Sequence, residues 1–335
     1  MKTAPPFFIV GCSRSGTTLL QVLLDAHPHI AIPPESLIFA HFAEIFDCYG
    51  DLKKESNLRA LVKDVLTDER IKRWDLKISV SDFCGRLEDF SVRGVVTLLF
   101  QCYAEKEGKV RWGDKTPEHV YYLKKIKTLF PEAKLIHLVR DGRDVAESQM
   151  RVFFGPNTID QAALSWKKHV SAFRRFSAHL RPDEYREIHY EDLVRSPDQE
   201  LKKIFDFLGE EFLSFSERIP ETTSKAHYLQ YDAIHTSLKK SISGEKIGIF
   251  KSKLSRRQVE IFESIAGNLL ESYGYARVTP VNRPILAYEK IIYGVLDQFF
   301  RFQLKMGKWS YLKERIQYHM RRWIRLRMRR EKRHV

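Results

Sequence analysis

Apolar positions along the chain follow first one spacing and then another. Phe7-Phe8-Ile9-Val10 is an unbroken run of aromatic and β-branched side chains ended by Gly11, the pattern of a strand buried on both faces. From Thr17 the spacing changes: Leu19, Leu20, Leu23 and Leu24 share one helix face, and His27-Pro28 marks where that helix stops. A second strand, loop and helix is predicted from Lys134-Leu135-Ile136-His137-Leu138-Val139, through Arg140-Asp141-Gly142-Arg143-Asp144, into a helix from Val145. An apolar patch around Ile188 reads as a further short strand, and residues 50–110 and 160–220 read mostly as helix. Strands alternating with helical stretches predict an α/β fold, a parallel sheet flanked by helices. No linker composition or fixed repeat interrupts residues 1–280, which read as one domain. Beyond Pro280 the chain turns aromatic and basic. Ile285, Tyr288, Ile292, Val295, Phe299 and Phe302 form a helical stripe, so residues 281–335 are expected to be a basic amphipathic helical extension.

Composition narrows the classes. With 335 residues, 43% apolar, 30% charged and only 16 Gly and 13 Pro, the chain is globular rather than collagen-like or low-complexity. Its net charge of +14 is concentrated at one end: residues 301–335 hold 13 Lys/Arg against Glu314 and Glu331, leaving +3 for residues 1–300. A general nucleic-acid binder would carry that charge on its body, so a nucleic-acid partner is not expected. Cys12, Cys48, Cys84 and Cys102 lack metal-ligand spacing and read as reduced thiols. Neither a signal-peptide pattern nor an apolar run of about 18 residues is present, and a cytoplasmic location is expected.

Gly11-Cys12-Ser13-Arg14-Ser15-Gly16-Thr17-Thr18, between the first strand and helix, keeps the G-x-x-x-x-G frame in which backbone N–H groups and a helix N-terminus face a phosphate. In nucleotide hydrolases a lysine follows the second glycine. Here Thr17 stands in that place and the cation comes earlier, at Arg14, which argues against an ordinary ATPase or GTPase. A glycine turn with a hydroxyl cap and no ligand is the bland alternative.

With Arg14-Ser15-Gly16-Thr17-Thr18-Leu19, Asp25-Ala26-His27-Pro28 and Glu35, and then Leu138-Val139-Arg140-Asp141-Gly142-Arg143-Asp144-Val145-Ala146-Glu147-Ser148, the chain resembles the sulfotransferases that use 3′-phosphoadenosine 5′-phosphosulfate. It is most similar to the tyrosylprotein branch and its bacterial relatives. Lys246-Ile247-Gly248-Ile249-Phe250-Lys251 resembles that family's C-terminal Gly-x-Trp-Lys loop, with Phe250 in place of Trp. The resemblance spans about residues 5–255 and does not reach the tail. It implies a phosphate-loop-type parallel sheet, a phosphosulfate co-substrate and no metal. Arg14, Ser15, Gly16, Thr17 and Thr18 would hold the 5′-phosphosulfate; Arg140 and Ser148 the 3′-phosphate; Tyr190 the adenine; Gly248 and Lys251 the same nucleotide.

Sulfuryl transfer by in-line displacement builds negative charge on the bridging oxygen of the departing nucleotide and needs cations there plus a base for the acceptor. The resemblance assigns the base to Glu35, in the proline-stiffened Ile32-Pro33-Pro34-Glu35-Ser36, and a second cation to Lys115 in Trp112-Gly113-Asp114-Lys115-Thr116-Pro117. Leu37 replaces an arginine that the family carries two places after the glutamate. Asp114 and His119 are the alternative bases. Arg143 could equally pair with a carboxylate, and Trp166 reads most simply as core. The histidines show no HExxH spacing, and no metal is assigned. The implied acceptor is hydroxyl- or amine-bearing: a glycan, lipid, peptide or small metabolite. The basic aromatic tail over 285–335 could meet an anionic membrane surface or pack its aromatics on the domain. A small-molecule kinase and a non-catalytic phosphonucleotide-binding or membrane-adaptor protein are the alternative classes.

Overall fold

The computed structural model describes residues 4–212, 214, 244–280, 295 and 316–326. Its sheet has five strands: β1 (Phe7–Gly11), β2 (Ile30–Ala31), β3 (Arg111–Lys115), β4 (Lys134–Val139) and β5 (Tyr185–His189). They lie in the order β2-β3-β1-β4-β5. β2 runs parallel to β3, with Ile30 opposite Arg111, and β4 runs parallel to β5, from Leu135 opposite Tyr185 to Val139 opposite His189. Helices join the strands, as parallel connections require. Every residue of β1 is buried, which is why its sequence is apolar without alternation. The predicted α/β fold with a parallel sheet is what the chain adopts.

Two compact units divide the chain: Met1–Phe8, His27–Lys134 and Lys308–Val335 make the first, Ile9–Ala26 and Leu135–Gly307 the second. The chain crosses from one to the other inside β1, where a strand leaves no linker for sequence composition to reveal.

In the first unit, α2 (Ile38–Phe42), α3 (Glu55–Leu66), α4 (Val80–Gly85), α5 (Val92–Lys106) and α6 (Leu123–Leu129) accompany β2 and β3. Phe8 packs edge-on against Phe39 and Trp112, both with centroids 5.9 Å away, and Trp112 stacks on Phe100 at 4.6 Å. The described end of the chain, helix 316–326, also belongs here and is held by its arginines. Arg321 donates to Asp68 at 2.8 Å, Arg325 to Asp64 at 2.6 Å and Arg322 to Glu44 at 2.8 Å. The guanidinium groups of Arg321 and Arg325 also lie 4.7 and 4.4 Å from the Phe42 and Tyr49 rings. Ile316, Met320, Trp323 and Ile324 are exposed, Trp323 at 61%. Asp64, Asp68 and Glu44 thus offer that helix a row of carboxylates, and its Tyr318 ring lies 5.3 Å from that of His41. The stripe residues Ile285, Tyr288, Ile292, Phe299 and Phe302 lie outside the described residues.

In the second unit, α1 (Thr17–Asp25) follows β1, α7 (Gly142–Met150) follows β4, and α8 (Ile159–Ser177), α9 (Tyr190–Arg195) and α10 (Pro197–Leu208) surround β5. The helix Arg256–Ser272 is started by a capping box between Ser255 and Gln258. Its core contains Cys12, Val139, Val145, Trp166, Phe262 and Leu270. Trp166 is core as expected, and its Nε1–H donates to the Arg140 carbonyl at 3.1 Å. Among the described residues no helix is long and apolar enough to cross a membrane.

Candidate functional site

The loop between β1 and α1 is built on positive-φ backbone. Arg14 at φ 74° and Gly16 at φ 102° turn the chain so that it enters α1 at Thr17, and Ser15 N–H closes the turn on the Cys12 carbonyl at 3.1 Å. Arginine seldom adopts that conformation, and held strain of this kind collects at ligand-binding loops. Gly16 is also required by space, since a Cβ there would meet the Tyr190 ring at 2.5 Å. Ser15 is fully buried, and its Oγ has no hydrogen-bond partner among the described residues. A buried hydroxyl left in that state fits an anion-accepting loop.

α7 brings the second motif to this loop. Arg14 Nε donates to Ser148 Oγ at 3.1 Å, joining residues 134 positions apart. Gln149, which sequence reasoning did not single out, straps the loop by donating to the Ser13 carbonyl at 3.0 Å. Arg140, at the end of β4, donates to the Lys246 carbonyl at 2.5 Å and lies 4.4 Å from the Tyr190 ring centroid and 3.7 Å from Asp144. Its Nε is buried without a partner among the described residues, a donor direction left for a ligand. Burial raises the Tyr190 phenol, with Arg140 pulling the other way. Asp144 accepts from the amides of Gly248 at 2.7 Å and Phe250 at 2.9 Å, and burial pushes its carboxyl up against those bonds. The Gly248 amide therefore holds the loop to α7, while Lys251 is exposed. Arg143 pairs with Asp141 at 2.7 Å and Glu263 at 2.5 Å, both carboxylates largely buried.

In the first unit, Glu35 pairs with Lys115, the two side chains 31% and 3% exposed. The sequence motifs carrying them are 80 positions apart, and β3 with the loop before α2 bring them together. Asp114 and His119, the alternative bases, are fully buried and already engaged. Asp114 accepts from the hydroxyls of Ser36 at 3.2 Å and Thr116 at 3.1 Å, and His119 Nδ1 lies 2.6 Å from its other oxygen. His119 Nε2 accepts the Phe39 N–H at 3.2 Å. Both are less exposed than Glu35. A carboxyl that the sequence did not flag, Glu118, sits beside them; burial raises it, and the charge of Glu35 raises it further. No sequence pattern distinguishes Glu118 from an ordinary helix-start glutamate.

Residues 5–214 match the model of the sulfotransferase family. The protein-tyrosine sulfotransferase of Drosophila melanogaster is 26% identical over 212 residues, covering 62% of this chain and 38% of that protein. A putative protein-tyrosine sulfotransferase of Caenorhabditis briggsae is 25% identical over 206 residues, 60% of this chain and 64% of that one. The chain thus spans less than two thirds of either relative. An omega-hydroxy-beta-dihydromenaquinone-9 sulfotransferase, Stf3 of Mycobacterium tuberculosis, is 26% identical over 321 residues, covering 82% of this chain and 76% of its own. The solved sulfotransferase domain of the Synechococcus PCC 7002 olefin synthase shares the fold, with a TM-score of 0.55 at 24% identity over 79% of this chain and 96% of that one. With the family model covering well over half of its length, the chain belongs to the sulfotransferase family.

Proposed function

We propose that the protein transfers a sulfuryl group from 3′-phosphoadenosine 5′-phosphosulfate to a hydroxyl or amine acceptor. The observation that carries this reading is the Arg14–Ser148 hydrogen bond, which unites the 5′-phosphosulfate loop with the 3′-phosphate motif beside the unpartnered Nε of Arg140. A kinase would need the lysine that Thr17 replaces; a pure adaptor would not need Glu35 and Lys115. In the proposed step the acceptor oxygen attacks sulfur, its proton passes to the Glu35 carboxylate, and the sulfur–oxygen bond to the bridging oxygen breaks. Arg14 and Lys115 neutralise the charge left on 3′-phosphoadenosine 5′-phosphate, and Ser15, Gly16, Thr17 and Thr18 position the 5′ end. Tyr190 and the Gly248–Lys251 loop complete the nucleotide site, and the reaction as written needs no metal.

The Glu35–Lys115 pair gives the order of events a physical reason. While the donor is absent each charge satisfies the other; a donor that draws Lys115 toward its bridging oxygen leaves the carboxylate with one cation fewer and so a stronger base. Glu35→Gln should therefore keep donor affinity within about twofold while removing at least about 99% of transfer from labelled phosphosulfate to lipid, glycan and peptide extracts, the usual span of a general base. Full transfer by that variant would remove Glu35 from the role.

For the acceptor we infer a membrane-presented hydroxyl, with the enzyme bound peripherally at the cytoplasmic face. Ile316, Met320, Trp323 and Ile324 form an outward apolar stripe at helical spacing, and Arg327, Arg329, Arg330, Lys332 and Arg333 follow it in sequence. The Mycobacterium tuberculosis relative is named for a hydroxylated menaquinone acceptor. Co-sedimentation with vesicles containing phosphatidylserine, reduced by Trp323→Ser, is expected; equal recovery without vesicles would overturn this part. Residues 1–280 would form the sulfotransferase domain and residues 281–335 its basic, aromatic extension.

A further inference from the structure

The backbone on both sides of Glu35 is fixed by hydrogen bonds to buried side chains. Before it, Trp74 Nε1–H donates to the Pro34 carbonyl at 2.9 Å. After it, the Ser36 N–H donates to Thr116 Oγ1 at 3.2 Å, and the Ser36 hydroxyl donates to Asp114 at 3.2 Å while accepting the Ile38 N–H at the same distance. Leu37 between them sits at φ 48°, ψ 18°, a left-handed conformation that leucine disfavours. The next amide, Phe39 N–H, donates to His119 Nε2. The other ring nitrogen, Nδ1, lies 2.6 Å from an Asp114 carboxylate oxygen. Asp114, Ser36, Thr116 and His119 are each no more than 1% exposed.

Two features make this more than ordinary core bonding. Asp114 and Thr116 are the immediate chain neighbours of Lys115, so the side chains that clamp the Glu35 loop grow from the same short backbone that carries its ion-pair partner. The clamp also holds a turn that leucine disfavours, so without it the loop would relax and carry Glu35 with it.

We infer that Asp114, Thr116, Ser36 and His119 are positioning residues that hold the strained turn at Leu37 and thereby set the Glu35 carboxylate on Lys115. The inference deepens the reading of Glu35 as the base and rests on it for its catalytic meaning, but the geometry can be tested without turnover. Ion-paired, buried ammonium groups exchange slowly enough for NMR, and in protein labelled with ¹⁵N-lysine the Lys115 signal is identified by its loss in Glu35→Gln. Thr116→Val removes one hydroxyl at constant volume, whereas Thr116→Ser keeps it.

Thr116→Val and Asp114→Asn should lose the Lys115 ammonium signal and speed hydrogen exchange at the Ser36 and Phe39 amides by roughly tenfold, about one hydrogen bond's worth. Thr116→Ser should retain both, and amides of α8 should be unchanged in every variant. Unchanged ammonium signal and unchanged exchange in Thr116→Val would overturn the inference, even with a lower melting temperature, because a merely structural role predicts only the latter. If Asp114→Asn does not fold, the Thr116 pair decides. Failure of the base reading is seen separately, as transfer that survives Glu35→Gln.

Discussion

Replacing Gly16 by alanine tests the phosphate loop at the point where its geometry is least forgiving. Two costs follow from the structure. The first is conformational: at φ 102° an L side chain meets its own backbone, at about 1–2 kcal/mol. The second is steric, because the new Cβ would lie 2.5 Å from Tyr190 Cδ2 and 2.9 Å from Cε2, and that ring is only 6% exposed with the Arg140 guanidinium beside it. Overfilling a packed site of this kind costs about 1–3 kcal/mol. Chemical denaturation should therefore show a loss of about 2–5 kcal/mol. Calorimetry should show at least about tenfold weaker binding of 3′-phosphoadenosine 5′-phosphate, since a displaced ring moves Arg140. Combining Gly16→Ala with Tyr190→Ala removes the steric part alone, so the double-mutant cycle should give a coupling of about 1–3 kcal/mol and leave the conformational part behind. A Gly16→Ala protein of wild-type stability, or a cycle with no coupling, would refute this reasoning.

Arg143→Met should destabilise the fold by about 3–5 kcal/mol without selectively weakening the nucleotide, because it leaves the Asp141 and Glu263 carboxylates buried without their cation; urea denaturation compared with calorimetry separates the two. Glu118→Gln should raise the melting temperature increasingly as pH rises. Burial gives the folded Glu118 a higher pKa than the unfolded value near 4.5, so its contribution is intact below that value and is lost as pH climbs through the folded one. A melting-temperature difference that is flat with pH would contradict that environment for Glu118.

How much of this could be read from sequence depended on whether a residue's role is local. The β1 run, the glycine frame and α1 are contiguous, and so are β4, Arg140 and α7; each declared itself by apolar spacing or by a cation in a fixed frame. β3 did not. Arg-Trp-Gly-Asp-Lys has no strand-like alternation, yet all five residues are buried, because Arg111 donates to the Pro5 carbonyl, Trp112 joins the aromatic core and Asp114 takes the Ser36 and Thr116 hydroxyls. Lys115 was found through motif resemblance rather than periodicity. Asp114 and His119 show the limit from the other side: their residue types suggested bases, but only the fold reveals that their polar atoms face the Glu35 loop. For the described helix 316–326, the sequence did not show which residues would meet Asp64, Asp68 and Glu44, about 250 or more positions away.

The most direct measurement is a calorimetric titration of 3′-phosphoadenosine 5′-phosphate against adenosine 5′-phosphate and ATP, without and then with Mg²⁺, in the wild type and in Arg140→Ala. Metal-independent binding that requires the 3′-phosphate is expected, and Arg140→Ala should erase roughly 1.5–3 kcal/mol of that preference while leaving adenosine 5′-phosphate nearly unchanged. Equal affinity for the two monophosphate and bisphosphate ligands, or a preference for MgATP, would contradict the assignment of a phosphosulfate donor site.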